Sequence, residues 1–144
     1  MPTRQLQIFK CPVCEAVVEV LDPCGVELVC CGPRMIHMEA RVASESRGAH
    51  AVRLQRSGSQ VRVKIGVPAH TMDVDHHIQW VELITPGKCL RQFLKPDDIP
   101  EVLFNVSERP IAARFFCRVH GLWKSSFQDP GDVLEEETLA EASV

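Results

Sequence analysis

The sequence predicts a mostly β protein in two parts: a small metal-bound, cysteine-rich domain, then a seven-stranded immunoglobulin-like β-sandwich. Three observations predict this. Five of the seven cysteines fall in the first 36 residues, where core-forming side chains are scarce. Residues 50–127 alternate apolar and polar positions with a period of two, cut by turn residues at regular intervals. Thiols and imidazoles recur at ligand-like spacings, most clearly in Cys117-Arg-Val-His120.

Residues 1–36 form a unit too small to fold on apolar burial alone, so a metal or disulfides must hold it. Residues 37–49 are small and polar and read as a linker. His50, Val52 and Leu54 then share one strand face, with Arg53 on the other. After the turn Ser57-Gly58-Ser59, Val61, Val63 and Ile65 alternate with Arg62 and Lys64. A strand from about Ile78 to Ile84 turns at Pro86-Gly87 into a partner ending near Leu94. Val102–Val106 reads as a fifth strand. Ile111, Ala113, Phe115 and Cys117 share a face of the sixth, and Leu122–Phe127 is the seventh. The tail, residues 128–144, is acidic and reads as frayed.

Composition excludes several classes. The 144 residues are 45% hydrophobic, enough for a core. A net charge of -3 and a pI near 6.1 argue against nucleic acid as a partner. No apolar run approaches the roughly 20 residues of a membrane span. Met1–Gln7 has no apolar stretch of secretory type, so a cytoplasmic location is expected. There, seven cysteines read as thiolates available to metal rather than as disulfides.

Cys11-Pro-Val-Cys14 and Cys30-Cys31-Gly32 are close pairs at the two ends of a loop. Four thiolates match a tetrahedral ion, zinc or iron, and spacing does not separate the two. Cys24 is surplus. A second set is richer in nitrogen: His50 opens a strand, His70 and His76 flank a loop, and Cys117 and His120 sit at the final hairpin. In a sandwich these positions can converge at one end. Four imidazoles and one thiolate would leave one position of an octahedral iron open to a small ligand. The alternative for each histidine is an ordinary hydrogen-bonding role. His37 and His77 read as bystanders, since His77 points away from His76 on a strand.

Together these motifs resemble the desulfoferrodoxin family, the two-iron superoxide reductases. The resemblance is carried by Phe9-Lys-Cys11-Pro-Val-Cys14, Cys30-Cys31-Gly32, Val67-Pro-Ala-His70-Thr-Met72, His76-His-Ile-Gln-Trp80, Phe93-Leu-Lys-Pro96 and Phe116-Cys117-Arg-Val-His120-Gly-Leu-Trp-Lys124. It implies a desulforedoxin-like domain with iron on Cys11, Cys14, Cys30 and Cys31. It implies a second iron with His50, His70, His76 and His120 equatorial and Cys117 axial. It also implies a homodimer, a rubredoxin-like electron donor, and one-electron reduction of superoxide to hydrogen peroxide. Zinc can take the four-cysteine site of overproduced protein.

The chain departs from the family pattern just before the first histidine. Gly48 and Ala49 stand where the family usually has glutamate and lysine. The lysine's charge would attract an anion, so its loss should slow capture. Arg47, or Lys64, is a candidate replacement; Arg118 beside Cys117 points away by strand alternation. The departure keeps open a non-catalytic reading, an electron-transfer or redox-sensing iron protein of the same fold. A zinc-stapled structural module is a third reading.

Overall fold

The computed structural model describes residues 3–43, 48–125 and 134–135. Its strands are β1 (Ile8–Lys10), β2 (Val17–Glu19), β3 (Ile36–His37), β4 (Arg41–Ala43), β5 (Gly48–Ser57), β6 (Gln60–Val67), β7 (Ile78–Ile84), β8 (Cys89–Phe93), β9 (Glu101–Asn105), β10 (Ala112–Cys117), β11 (Gly121–Ser125) and β12 (Leu134–Glu135). The chain divides into two compact units, Met1–Glu39 and Ala40–Val144.

The first unit is a three-stranded antiparallel sheet in the order β2-β1-β3. Its buried apolar side chains are Ile8, Cys11 and Val20, while Val13, Leu21, Val26, Val29 and Ile36 are exposed. Three residues are too few for a core that folds unaided. The β1–β2 hairpin turns through the first cysteine pair. Cys11 N–H donates to Ala16 O (2.9 Å) and Glu15 N–H to Cys11 O (3.1 Å).

The second unit is a sandwich of two sheets, β4-β11-β10-β7-β8 and β12-β5-β6-β9. All seven strands expected from the alternation form. Leu54, Val61, Val63, Ile65, Val102 and Phe104 from one sheet meet Ile78, Val81, Leu83, Ala113 and Phe115 from the other. These are the inward positions of a period-two pattern, so burial fixes the register. Cys117 belongs to the same cluster, which places its thiol at the edge of the hydrophobic core.

Two short strands were not expected. β4 pairs in parallel with β11, Trp123 opposite Arg41, and β12 pairs in parallel with β5. Segment 37–49, expected as a linker, therefore contains His37 in β3, all of β4 and the start of β5. Small polar residues gave no alternation there, but backbone pairing needs none. Within the expected tail 128–144, Leu134–Glu135 forms β12. The remainder of that tail lies outside the described residues, as do positions 126 and 127 of the expected last strand.

A charge network crosses the middle of the five-stranded sheet. Glu82 on β7 is fully buried and faces Arg114 on β10 and Arg91 on β8. Arg91 Nη2 lies 2.7 Å from Oε1 and Arg114 Nη2 lies 2.8 Å from Oε2. Two guanidinium groups thus compensate one buried carboxylate, which removal of either would leave under-paired. Among the described residues, no helix is long and apolar enough to cross a membrane.

Candidate metal centres

The four cysteines of the first unit come together. The sulfurs of Cys11, Cys14, Cys30 and Cys31 all lie within 4.8 Å of one another. Cys14 Sγ is 3.7 Å from Cys30 Sγ, and Cys30 Sγ is 3.9 Å from Cys31 Sγ. A tetrahedron with metal–sulfur bonds of about 2.3 Å has an edge of about 3.8 Å, so the cluster already has the size of a four-thiolate site. Backbone geometry builds it. The N–H groups of Val13 and Cys14 both donate to Cys11 Sγ at 3.4 Å. The Cys14 N–H is the larger of these effects, and together they lower the Cys11 thiol to about 6. Cys30, facing that thiolate and its neighbours, is pushed up to about 12. Cys11 is thus set to ionise before Cys30 and Cys31, which would give up their protons when a cation arrives. Cys31 and Gly32 adopt the left-handed backbone that folds the second pair back, with φ of 56° and 102°.

The nitrogen-rich residues converge at one end of the sandwich. His50 on β5, His70 and His76 from the loop between β6 and β7, and His120 from the β10–β11 turn form a closed ring. Its ring-to-ring distances are 5.1 Å (His50–His70), 4.8 Å (His70–His76), 5.0 Å (His76–His120) and 4.9 Å (His120–His50). Cys117 is common to both halves. Its sulfur groups within 4.8 Å with His50 and His120, and again with His70 and His76. Cys117 Sγ is 3.5 Å from His70 Nε2 and 3.6 Å from His120 Nδ1. The thiol is buried, while His50 and His76 are half-buried and His120 is exposed. The square of imidazoles therefore has its sulfur on the core side and faces outward on the other.

Several features aim these side chains. Both sheet irregularities fall here: one between Gly48 and Val52 on β5, one between Phe116 and Cys117 on β10. Bulges re-aim side chains at strand ends. His70 donates from Nδ1 to the Thr71 carbonyl at 2.6 Å, which fixes the tautomer and leaves Nε2 as a lone pair facing Cys117. The His120 N–H donates to Cys117 Sγ at 3.4 Å. Trp123 Nε1–H donates to the His120 carbonyl at 3.2 Å. Gly66 sits where a Cβ would lie 2.4 Å from the His70 nitrogen and 3.0 Å from the Ala49 oxygen. Only glycine lets the β5 and β6 ends bring His50 and His70 together.

Burial leaves two nitrogens without hydrogen-bond partners, His50 Nε2 and His76 Nε2. Orphaned buried nitrogen atoms are costly unless something else binds them. Burial, then the neighbouring imidazoles and Arg41, depress His50 to about 4, so its lone pair is free at neutral pH. Burial also lowers His70. Four imidazoles and a thiol, with two buried nitrogens lacking partners, are a donor set suited to a transition metal.

The remaining sequence candidates separate cleanly. His77 is buried and bonded through Nδ1 to the Asp73 carbonyl at 3.0 Å, an ordinary structural histidine. His37 lies in the first unit, tilted against Phe9. Arg118 is exposed, and Arg47 falls outside the described residues. Sequence reasoning missed the packing of His50. Its ring lies flat on Trp123, 4.3 Å away at an interplanar angle of 4°, and Phe115 stacks on it at 6.0 Å and 13°. Arg41 lies over Trp123, 5.6 Å from the ring centroid. Alternation on the last hairpin, which sets Trp123 opposite Phe115, is the signal that could have found the indole. Nothing local marked Arg41.

Both units resemble known proteins. The family model described as "Desulfoferrodoxin" matches residues 49–126, and "Desulfoferrodoxin, N-terminal domain" matches residues 3–38. A desulfoferrodoxin homolog from Archaeoglobus fulgidus is 41% identical over 85% of this chain and 98% of its own length. A desulfoferrodoxin from Desulfarculus baarsii is 40% identical over 87% of this chain and 98% of its own. The crystal structure of the superoxide reductase from Treponema pallidum is similar with a TM-score of 0.70, at 27% identity, over 85% of this chain and 98% of that one. With both units matched by family models, and relatives near 40% identity aligned almost end to end, this chain belongs to the desulfoferrodoxin family.

Proposed function

We propose that this chain is a superoxide reductase, reducing superoxide by one electron to hydrogen peroxide at the histidine–cysteine site. The observation that carries the reading is the square of four imidazoles sharing one buried thiol, with two ring nitrogens lacking partners. His50, His70, His76, His120 and Cys117 would hold a ferrous ion, which would supply the one electron that, with two protons, takes superoxide to hydrogen peroxide. The residues do the rest. Cys117, kept from water by the core, would donate electron density to that ion as a thiolate. The four imidazoles would hold the ion towards the solvent side, where His120 is exposed and a diatomic anion could reach it. His70 is locked in one tautomer by the Thr71 carbonyl, so its orientation costs nothing on binding.

Cys11, Cys14, Cys30 and Cys31 would hold a second iron in an auxiliary role, with zinc as the substitute in overproduced protein. Such a site needs its cysteines kept as thiols, as a reducing cytoplasm would keep them. A rubredoxin-like protein as electron donor and a homodimeric assembly complete the reading.

The test is a superoxide pulse delivered to reduced, iron-loaded protein. Peroxide should form without oxygen release. Stoichiometric oxygen would mean dismutation and overturn the proposal. One observation favours a second reading: positions 48 and 49 are exposed and uncharged, so nothing there attracts an anion. An electron-transfer or redox-sensing protein would then be reoxidised by superoxide no faster than buffer accounts for.

A further inference from the structure

Positive charge beside the imidazole square would favour an arriving anion beyond the pull of a bound metal, and Gly48, Ala49, Ala51 and Val52 around His50 carry none. The structure offers a cation from a different strand. β4 runs parallel to β11 with Arg41 in register with Trp123. The guanidinium carbon of Arg41 lies over the Trp123 ring at 5.6 Å. That ring in turn lies flat on His50 at 4.3 Å and 4°. Guanidinium, indole and imidazole follow one another, and Phe115, the cross-strand partner of Trp123, also stacks on His50. Arg41 itself is exposed to solvent.

We propose that Arg41, held on Trp123, is the residue that steers and favours anions at the histidine site. Trp123 acts as the positioning residue: its face fixes both the His50 plane and the guanidinium. The layer arrangement explains why an arginine is used. A planar, permanently charged group stacks on an indole, which a hydrated ammonium does less well. The inference rests on the reading that an anion binds a metal on these histidines. It adds a residue that the sequence assigned to a linker.

The test is azide titration of oxidised, iron-loaded full-length protein, followed by absorbance at several ionic strengths. Metal analysis first establishes equal iron content in each variant. Arg41→Gln should weaken azide binding by about two- to tenfold at ~10 mM salt, the range for one charge about 10 Å away. The difference should collapse towards ~0.5 M salt. Arg41→Lys, which keeps the charge, should retain most of the salt dependence. A merely structural Arg41 would move azide affinity equally at all salt concentrations and would be mimicked by the lysine variant. Either of those results overturns the proposal, as does a salt-dependent weakening of azide binding in Arg47→Ala with none in Arg41→Gln. Failure here is distinguishable from failure of the reductase reading. Arg41-dependent azide binding without peroxide formation sinks only the latter. Peroxide formation with Arg41-independent azide affinity sinks only this inference.

Discussion

The two units of this chain gather their ligands in opposite ways. Residues 1–39 surround four sulfurs with a three-stranded sheet and three buried apolar side chains. Residues 40–144 carry a core drawn from both sheets of a sandwich, and the histidine–cysteine site is an extension of it through Phe115 and Cys117. In the first unit so small a core leaves the fold dependent on its four sulfurs and on whatever they bind. In the second the fold exists first and the site is built on its rim. The same element type, a β-hairpin ending in cysteine, thus serves as a staple in one unit and as a mounted ligand in the other.

The largest effect should come from metal removal. Stripping the full-length protein with a chelator, or substituting Cys30→Ser, should unfold the first unit and leave the sandwich intact. Structural thiolate sites contribute on the order of 10 kcal/mol to folding, far above what three buried side chains supply. Residue-resolved hydrogen exchange reads this directly. Amides of β1 and β2 should lose protection while those of β6, β7 and β10 keep it. Protected β1 amides in metal-free protein would show that the comparison is wrongly drawn.

Phe115→Ala should come next, at about 3–5 kcal/mol from the sandwich. Phe115 is fully buried and also stacks on His50, so core and site should fail together. Urea unfolding and iron binding, measured on the same variant, check this. A stability loss with unchanged iron affinity would mean that His50 is held by Trp123 alone. Gly66→Ala follows, costing about 2–3 kcal/mol through left-handed strain and a clash. At Gly66 φ is +89° and the new Cβ would meet the backbone nitrogen of His70. Its signature is a loss of metal affinity greater than the stability loss predicts, because the clash displaces a ligand directly. Equal losses would place the strain elsewhere in the sheet.

How much of this was legible in the sequence follows the same division. The sulfur site was legible because its geometry is local: two close pairs, each closed by its own turn. The seven strands were legible because burial imposes a period of two. Convergence of His50, His70, His76 and His120 was legible only as a possibility of the sandwich, since it depends on which strand ends meet. The Arg41–Trp123–His50 layering was not legible at all. It needs β4 to pair in parallel with a strand some eighty positions later, and Arg41-Val-Ala43 has neither the alternation nor the length to announce a strand. Gly66 stood in the chain without a reason until Ala49 and His70 were seen beside it.

The smallest effect is one of pH, and the comparison decides where it can be measured. Only the sandwich is expected to stay folded without metal, so only there does acid titration of the metal-free chain report on folding. His50 is depressed to about 4 by burial, against an ordinary value of 6.5. A histidine with a lowered folded value binds its proton more readily when unfolded. Stability should therefore be full above pH 6.5, fall as pH drops towards 4, and level off below that. Urea midpoints of the metal-free chain between pH 8 and 4 should trace this decline. In His50→Gln the decline should be shallower, because the substituted side chain has no proton to gain. Identical slopes in the two proteins would move the effect to His70, whose value burial also lowers. The rim of the sandwich would then be driest around the loop histidine, and the aromatic layers on His50 would serve its orientation more than its exclusion from water.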